Sequence, residues 1–263
     1  MDWIVRPFNA VFCAVLAASL LLLAAASLLL RGKSLRTKKI VLVSACAATL
    51  IGFFLYKYAL SLDAEYDRLI ADMDGFNWWG ELPLHLCNVN MLLIPAAVLS
   101  GKRPIMGFCF FVGPLCAMMA LAMPTAGFAG YSLFLPRMLG YYGTHFLVLI
   151  EALALATFGF FRPAFRDFPA TLAAIFAISF CVFLVDLALR QTGLCPHANY
   201  FFAMETEGNV LLNKFHAWIP LPFLYLLPCL AILAVYMALI TSVFALARKR
   251  KKNEEFRRKN DRS

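Results

Sequence analysis

The sequence predicts an all-α fold, a polytopic membrane bundle of seven transmembrane helices with its N-terminus outside and its C-terminus in the cytoplasm. Of its 263 residues, 62% are hydrophobic and 15% are charged, which leaves no room for a sizeable soluble domain. The hydrophobic residues form seven stretches of about 20 residues, each long enough to cross a hydrocarbon core of about 30 Å. Lys and Arg favour one side of these stretches by 18 to five, with Lys57 left inside a span. Short cytoplasmic loops carry an excess of Lys and Arg, so this side is predicted to be cytoplasmic.

The seven predicted helices, in order, occupy residues 9–30, 40–60, 82–100, 104–123, 138–160, 169–189 and 221–247. Proline is tolerated in the first turn of a helix, where its missing N–H has no intrahelical partner. Pro83, Pro104 and Pro169 therefore suit the starts of the third, fourth and sixth helices. Three prolines near the start of the seventh helix predict a kink in its outer half: Pro220, Pro222 and Pro228. The first helix is interpreted as a membrane span and not as a cleaved signal peptide, because its cations follow the apolar run instead of preceding it.

The charged segments divide the chain into a transmembrane domain, residues 1–247, and a basic cytoplasmic tail, residues 248–263. The tail has nine Lys or Arg residues, and the loop at 31–39 has five with no acidic residue. Basic residues next to a cytoplasmic membrane surface bind anionic lipid headgroups, so the formal charge of +9 predicts a lipid partner and no nucleic-acid partner. The loop from Ser61 to Glu81 has the opposite sign and is predicted to face outside. Its six acidic residues are Asp63, Glu65, Asp67, Asp72, Asp74 and Glu81.

The eight cysteines do not predict a disulfide framework or a metal site. Seven of them fall within predicted spans: Cys13, Cys46, Cys87, Cys109, Cys116, Cys181 and Cys229. Cys195 lies in an outer loop and has no second cysteine there. The chain contains no CxxC pair, and its four histidines are 60, 52 and 19 residues apart, so no local pair of metal ligands is present. We therefore predict no metal and no cofactor.

Polar residues gather near the outer ends of the third and fifth helices, where hydrocarbon makes them costly unless they have a partner or a role. Cys87 is predicted to lie about one turn from the N-terminus of the third helix, on one face with Asn90. Tyr141 and His145 share a face of the fifth helix at a similar depth. The helix dipole favours a thiolate at such a place, and a neighbouring histidine can accept its proton. A nucleophile and a base near lipid ester groups are suited to acyl transfer, with Asn88, Asn90 or Tyr141 as a donor to the oxyanion.

Five further polar or charged residues have structural as well as functional interpretations. His85 is predicted either to hydrogen-bond a neighbouring helix or to act in catalysis. Asp186 and Arg190 are four residues apart, so a local ion pair accounts for both, and Lys57 can extend toward the acidic second loop. Glu151, in the fifth helix, is costly in hydrocarbon. It is predicted to be protonated, hydrogen-bonded to the third helix, or involved in proton handling or catalysis.

Three short motifs suggest a family. They are Leu-Pro-Leu-His-Leu-Cys at 82–87, Tyr-Gly-Thr-His at 142–145 and Asn-Tyr-Phe-Phe at 199–202. Together they resemble the YwaF-like bacterial membrane proteins, which group with the transmembrane protein 164 family of eukaryotes. The resemblance extends from the second helix to the seventh and departs from the family pattern at 203–205, where Ala-Met-Glu replaces the family's Leu and Pro.

The resemblance also implies an activity. The eukaryotic relatives are described as acyltransferases that move a fatty acyl chain between phospholipids through a cysteine, with a histidine required. Carried over to this sequence, the resemblance implies Cys87 as the nucleophile and His145 as the general base.

The favoured hypothesis is a cysteine-dependent phospholipid acyltransferase that acts in the outer half of the bilayer, with a lipid hydrolase as its near variant. The alternatives are a small-solute transporter and a non-enzymatic membrane scaffold. Residues predicted to support the site or to bind substrate are His85, Asn88, Asn90, Tyr141, Glu151, Asp186, Asn199 and Tyr200. Compact loops without an outer glycosylation signal favour the cytoplasmic membrane of a bacterium. The oligomeric state, the acyl donor and the acceptor are left open.

Overall fold

The computed structural model describes residues 3–71, 75–125 and 127–260. Its helices are α1 (Ala10–Leu29), α2 (Leu35–Leu60), α3 (Ala64–Leu69), α4 (Asn90–Ser100), α5 (Arg103–Ala122), α6 (Pro136–Thr157), α7 (Phe168–Gln191), α8 (Val210–Trp218) and α9 (Leu227–Asn260). Two short strands, β1 (Ile4–Val5) and β2 (Tyr131–Ser132), pair antiparallel and tie the N-terminal segment to the loop before α6. Asp72 and Asp74 of the acidic loop, and residues 261–263 of the basic tail, lie outside the described residues.

Six of the described helices are long and apolar enough to cross a membrane: α1, α2, α5, α6, α7 and α9. They correspond to six of the seven predicted spans, with shifted ends. The helix α2 begins earlier than predicted because Ser34 caps it, its hydroxyl accepting the backbone N–H of Thr37 at 3.2 Å. The predicted kink in the seventh span is wrong, since Pro220 and Pro222 precede α9 and Pro228 lies in its first turn. From there α9 continues to Asn260.

The third predicted span differs most from the structure. Its helix, α4, begins at Asn90 and not at residue 82, and it has 11 residues. Residues 82–89 form a series of turns that lead into α4. Two physical reasons account for this: asparagine favours helix caps and turns over helix interiors, and neighbouring loops supply hydrogen bonds that a helix would otherwise make. Pro83 therefore lies in a turn and not in the first turn of a helix.

The helix α6 is the centre of the bundle and packs against α1, α2, α4 and α5. Its approach to α2 is close at Gly140, where any Cβ atom would overlap the side chain of Tyr56. The helix α5 continues the core to α7, and α7 packs against α9. Along α1 and α9 the outer surface is apolar; Leu21, Leu28, Val235 and Leu239 are 62% to 70% exposed. An apolar surface of this kind belongs to an integral membrane protein, whose solvent is lipid.

Candidate functional site

The turn segment 79–89, between the acidic loop and α4, carries Cys87. Inside the segment, the N–H of Val89 donates to the carbonyl of His85 at 2.9 Å, and the N–H of Asn90 donates to the carbonyl of Cys87 at 3.2 Å. Cys87 therefore lies immediately before the N-terminus of α4, and not one turn inside a helix as predicted. The dipole of α4 still points its positive end toward this part of the chain.

A loop between α7 and α8 holds the turn segment in place. The hydroxyl of Tyr200 accepts the backbone N–H of Leu82 at 3.1 Å and donates to the carbonyl of Trp79. The next residue, Phe201, donates its backbone N–H to Nδ1 of His85 at 3.2 Å. Tyr200 itself is anchored through its N–H to Oδ1 of Asp186 at 3.0 Å. Residues that the sequence placed in separate motifs, Asn-Tyr-Phe-Phe and Leu-Pro-Leu-His-Leu-Cys, are thus joined by direct hydrogen bonds.

Cys87 and His145 meet inside the bundle, 58 residues apart in sequence. The thiol sulfur of Cys87 lies 3.5 Å from Nε2 of His145. The other ring nitrogen, Nδ1, lies 2.7 Å from the carbonyl oxygen of Tyr141, one turn earlier on α6. Because a carbonyl oxygen only accepts, Nδ1 carries the proton and Nε2 offers its lone pair to the thiol. Both side chains are buried, and the geometry is that of a nucleophile with an oriented base.

The three predicted oxyanion donors have different surroundings. Tyr141 is not free to serve, since its hydroxyl donates to the carbonyl of Ala120 at 2.7 Å. The amide N–H of Asn90 donates to the carbonyl of Leu86 at 2.6 Å. Asn88 has its Oδ1 3.7 Å from the Cys87 sulfur, in reach of the S–H. Among the described residues, the amide N–H groups of Asn88 have no partner, so Asn88 retains two donors, while Asn90 retains the second N–H of its amide.

A buried ion pair lies at the end of α2, in the direction the sequence predicted. Lys57 pairs with Glu81, and its ammonium lies 4.7 Å from the centroid of the Tyr56 ring. The hydroxyl of Tyr66 also donates to Glu81, at 3.4 Å. Burial and then the Glu81 carboxylate raise the pKa of Tyr66, so this hydroxyl remains a donor. The extension of Lys57 toward the acidic second loop is confirmed.

Glu151 lies deeper in the bundle and is linked to α2 rather than to the predicted third helix. Its Oε1 accepts the hydroxyl of Thr49 at 2.6 Å, and the thiol of Cys46 lies beside the same carboxyl group. Its Oε2 is buried and has no hydrogen-bond partner among the described residues. Thr49 was missed, although Cys46, Thr49 and Phe53 recur at helical spacing on the buried face of α2.

The predicted local ion pair of Asp186 and Arg190 is wrong. Asp186 accepts from Tyr200, while Arg190 donates to the carbonyl of Ala198 at 2.6 Å and pairs with Glu205 at 2.7 Å. Asn199 closes the same loop by accepting the N–H groups of Met204 and Glu205, residues at which the sequence departs from the family pattern. The loop is therefore held by Asn199 from within and by Asp186 and Arg190 from the end of α7. These two α7 residues can bond the loop because they do not pair with each other.

The site residues do not form a metal centre within the described ranges. No group of three or more His, Cys, Asp or Glu side chains there is arranged to hold a metal ion. Comparison with known proteins gives one positive finding. The model of the TMEM164 family matches residues 7–257, which is nearly the whole chain. No curated protein and no solved structure matches it.

Proposed function

This chain belongs to the TMEM164 family, and we propose that it is a cysteine-dependent phospholipid acyltransferase. Cys87 is the nucleophile and His145 the general base. The observation that carries the proposal is the 3.5 Å contact between the Cys87 sulfur and Nε2 of His145, with Nδ1 fixed by the Tyr141 carbonyl. A buried thiol usually serves as a small apolar side chain. A buried thiol beside an imidazole of fixed orientation can serve as a nucleophile, because the imidazole accepts its proton.

The proposed reaction has two steps that share one base. In the first, Nε2 of His145 takes the thiol proton and the sulfur attacks the ester carbonyl carbon of a phospholipid. The C–O bond breaks, the lysolipid oxygen receives the proton from His145, and the acyl chain remains on Cys87 as a thioester. In the second, His145 takes the hydroxyl proton of a lysolipid acceptor, whose oxygen attacks the thioester and releases the thiol. Water in place of the acceptor gives the hydrolase variant.

The proposed topology has seven crossings, with the N-terminus outside and Cys87 in the outer half of the bilayer. The charge difference of 18 to five supports this orientation. At 1.5 Å per residue, α4 spans about 16 Å, roughly half of a hydrocarbon core. The turn segment before it completes the crossing. Irregular backbone at membrane depth is tolerated where protein surrounds it or a cavity adjoins it, which is where a lipid-modifying site has to be.

We place the protein in a bacterial cytoplasmic membrane, with phospholipids as substrates and anionic headgroups bound at the basic tail. The nine Lys and Arg residues of the tail support the second partner. A reporter fused to either terminus tests the orientation. Alkaline phosphatase activity is expected from an N-terminal fusion and fluorescence of a cytoplasm-dependent reporter from a C-terminal fusion.

A small-solute transporter is the second candidate, because five buried side-chain oxygens, among them Oε2 of Glu151 and Oδ1 of Asn90, have no hydrogen-bond partner among the described residues. Such atoms suit a transient ligand or a proton. Solute uptake by proteoliposomes that is lost in Glu151→Gln and kept in Cys87→Ala would favour this function. If the wild type and both variants show no uptake, the transporter function is refuted.

Acyl-enzyme trapping tests the main proposal. Purified protein is incubated with a phospholipid that carries an alkyne-tagged acyl chain, and its cysteine peptides are examined by mass spectrometry. The expected result is a hydroxylamine-sensitive adduct on Cys87 that is lost in His145→Ala and kept in Cys116→Ala, a matched thiol control packed against the same core cluster. An unmodified Cys87 in correctly folded protein would contradict the proposal.

A further inference from the structure

Two histidines of the candidate site are held in opposite tautomers by backbone groups. A neutral imidazole carries its proton on one ring nitrogen, and the hydrogen bond of the other nitrogen decides which one. At His145 the partner of Nδ1 is a carbonyl oxygen, so the proton is on Nδ1 and the lone pair is on Nε2. This tautomer suits a base that faces the Cys87 thiol.

His85 has the reverse arrangement. Its Nδ1 accepts a hydrogen bond from the backbone N–H of Phe201 at 3.2 Å. A backbone N–H can only donate, so Nδ1 has no proton, the ring is neutral, and the proton is on Nε2. The ring of Tyr200 meets His85 edge to face, with centroids 5.2 Å apart, and restricts the orientation of the imidazole.

The Nε2–H of His85 is a donor without a protein acceptor in the described part of the chain. The ring is half-buried, and His85 precedes Cys87 by two residues in the same turn segment. Because Phe201 and Tyr200 fix the tautomer and the ring plane, this N–H does not have to reorient when a ligand arrives. A fixed neutral donor two residues from a nucleophile, in the same turn segment, is the kind of group that stabilises negative charge developing on a carbonyl oxygen.

We infer that His85 is a further catalytic residue, whose Nε2–H donates a hydrogen bond to the oxyanion formed when the Cys87 sulfur attacks an ester carbonyl. The inference rests on the proposed acyl transfer. Attack forms the C–S bond and moves the carbonyl π electrons onto oxygen, and His85 stabilises this oxygen without giving up its proton. When the C–O bond breaks, the electrons return to the carbonyl and His145 protonates the leaving alcohol. One histidine is thus the base and the other is the donor.

Two substitutions separate the role of the Nδ1 acceptor of His85 from the role of its Nε2 donor. Asparagine places its amide near the position of Nδ1, so His85→Asn keeps an acceptor for Phe201 and removes the Nε2 donor. Glutamine places its amide near Nε2, so His85→Gln keeps a donor and gives up the link to Phe201. The matched control is His216→Asn on α8, since His216 also lies edge to face with a tyrosine, at 5.3 Å from Tyr225.

The experiment measures two rates at Cys87 in the full-length protein. Acylation by a p-nitrophenyl fatty ester passes through an oxyanion, whereas alkylation by iodoacetamide does not. In His85→Asn we expect acylation to slow by about 10²-fold while alkylation stays within about twofold of the wild type. His85→Gln should lose less acylation than His85→Asn, and His216→Asn should lose none. Equal losses of acylation and alkylation in His85→Asn, or no loss of either, would overturn the donor role.

Nitrogen NMR of protein labelled with ¹⁵N-histidine tests the tautomers without any turnover. We expect the resonances lost in His85→Asn to be those of an Nε2–H tautomer, and those lost in His145→Ala to be those of an Nδ1–H tautomer. An Nδ1–H tautomer at His85 overturns the inference even if the protein is an acyltransferase. Assigned tautomers together with a wild-type Cys87 that no ester acylates would instead refute the proposed acyl transfer, and the donor role with it.

Discussion

Two of the buried polar contacts among the described residues, Glu151 with Thr49 and Cys87 with His145, are carried by different kinds of backbone. Glu151 and Thr49 meet at 2.6 Å from two regular helices, α6 and α2. Cys87 and His145 meet at 3.5 Å, but Cys87 lies on a turn segment and only His145 lies on a helix. A contact between two helices needs no further support for its backbone. The Cys87 contact depends on a separate loop that positions the turn segment.

The dependence of the turn segment on a separate loop costs free energy, and a cost of this kind distinguishes a functional site from a structural contact. The backbone N–H of Leu82 and the carbonyl of Trp79 rely on the hydroxyl of Tyr200 for partners that a helix would have supplied internally. Phe201 holds the side chain of His85. The supporting loop is itself strained, since Phe201 and Phe202 adopt positive φ angles of 44° and 63°. Strain of this kind persists where the surrounding structure imposes it, and it concentrates at functional sites. The Glu151 contact shows neither feature.

The largest expected effect comes from replacing the thiol at each of the two contacts, Cys87 and Cys46, with a hydroxyl. Cys87→Ser should lower acyl transfer by at least about 10³-fold, because a serine hydroxyl beside a single imidazole is a much weaker nucleophile than a thiolate. Cys46→Ser, beside Glu151, should keep turnover within about twofold. Phospholipid turnover of both variants in mixed micelles measures the difference. Equal losses in the two variants would mean that the contacts do not differ in function.

The next effect concerns the supporting loop. Tyr200→Phe removes the hydroxyl that bonds Leu82 and Trp79, so we expect the acylation of Cys87 to slow by about 10-fold as its position loosens. Tyr225→Phe is the control, because its hydroxyl donates to the carbonyl of Phe202 in the same loop region without touching the turn segment.

The readout for the Tyr200 variant is the pH dependence of Cys87 alkylation, which reports the pairing with His145. We expect this profile to change in Tyr200→Phe and to match the wild type in Tyr225→Phe. Identical profiles in all three proteins would show that the loop contributes to stability and not to the position of Cys87.

The same contrast explains which parts of the molecule the sequence predicts. Hydropathy located six helices that are long and apolar enough to cross a membrane, because lipid-facing and core-facing helices both need apolar residues over a membrane thickness. It also marked residues 82–89 as helical, which is wrong, because hydropathy reports burial and not backbone conformation. That segment is apolar because protein surrounds it. Besides bonds within the segment, it is held by hydrogen bonds to residues 200 and 201, which lie far away in sequence and which no local pattern contains.

The residues of the candidate site were likewise predicted in part. Helical spacing placed Tyr141 and His145 on one face, and the family resemblance paired His145 with Cys87, as the structure does. Spacing gives the face of a helix but not the neighbour that meets it. For this reason a hydrogen bond to the third helix was one of the alternatives for Glu151, whose partner is on α2, and Asp186 was paired with Arg190 instead of Tyr200.

The contact between the two regular helices should affect stability alone. Thr49→Val leaves Oε1 of Glu151 without its donor, and we expect this to lower the free energy of unfolding by about 1 kcal/mol, the scale of interhelical hydrogen bonds in membranes. Thr49→Ser keeps the hydroxyl and is the control. Unfolding in mixed detergent micelles measures both. An equal loss in the two variants would show that the loss does not come from the hydrogen bond, because Thr49→Ser keeps the hydroxyl. A loss of turnover at full stability would contradict the structural role.

The smallest expected effect lies outside the bundle core, where a partly exposed ion pair contrasts with both buried contacts. The buried guanidinium of Arg137 donates to Asp63 at 2.8 Å and to Glu65 at 2.9 Å. Burial opposes ionisation of Asp63, but the N–H of Tyr66 and the guanidinium outweigh it and lower the pKa of the Asp63 carboxyl. A pKa that is lower in the folded than in the unfolded state stabilises the fold above the unfolded value, about 3.9. This stabilisation disappears as the pH falls through the folded value.

The free energy of unfolding of the wild type should therefore decrease between about pH 5 and pH 3 more steeply than that of Asp63→Asn. The difference should stay below about 1 kcal/mol, because Asp63 is partly exposed and solvent screens the pair. Chemical unfolding of both proteins across this pH range measures it. Parallel curves would show that Asp63 titrates alike in both states and would contradict a stabilising role for its ionised carboxylate.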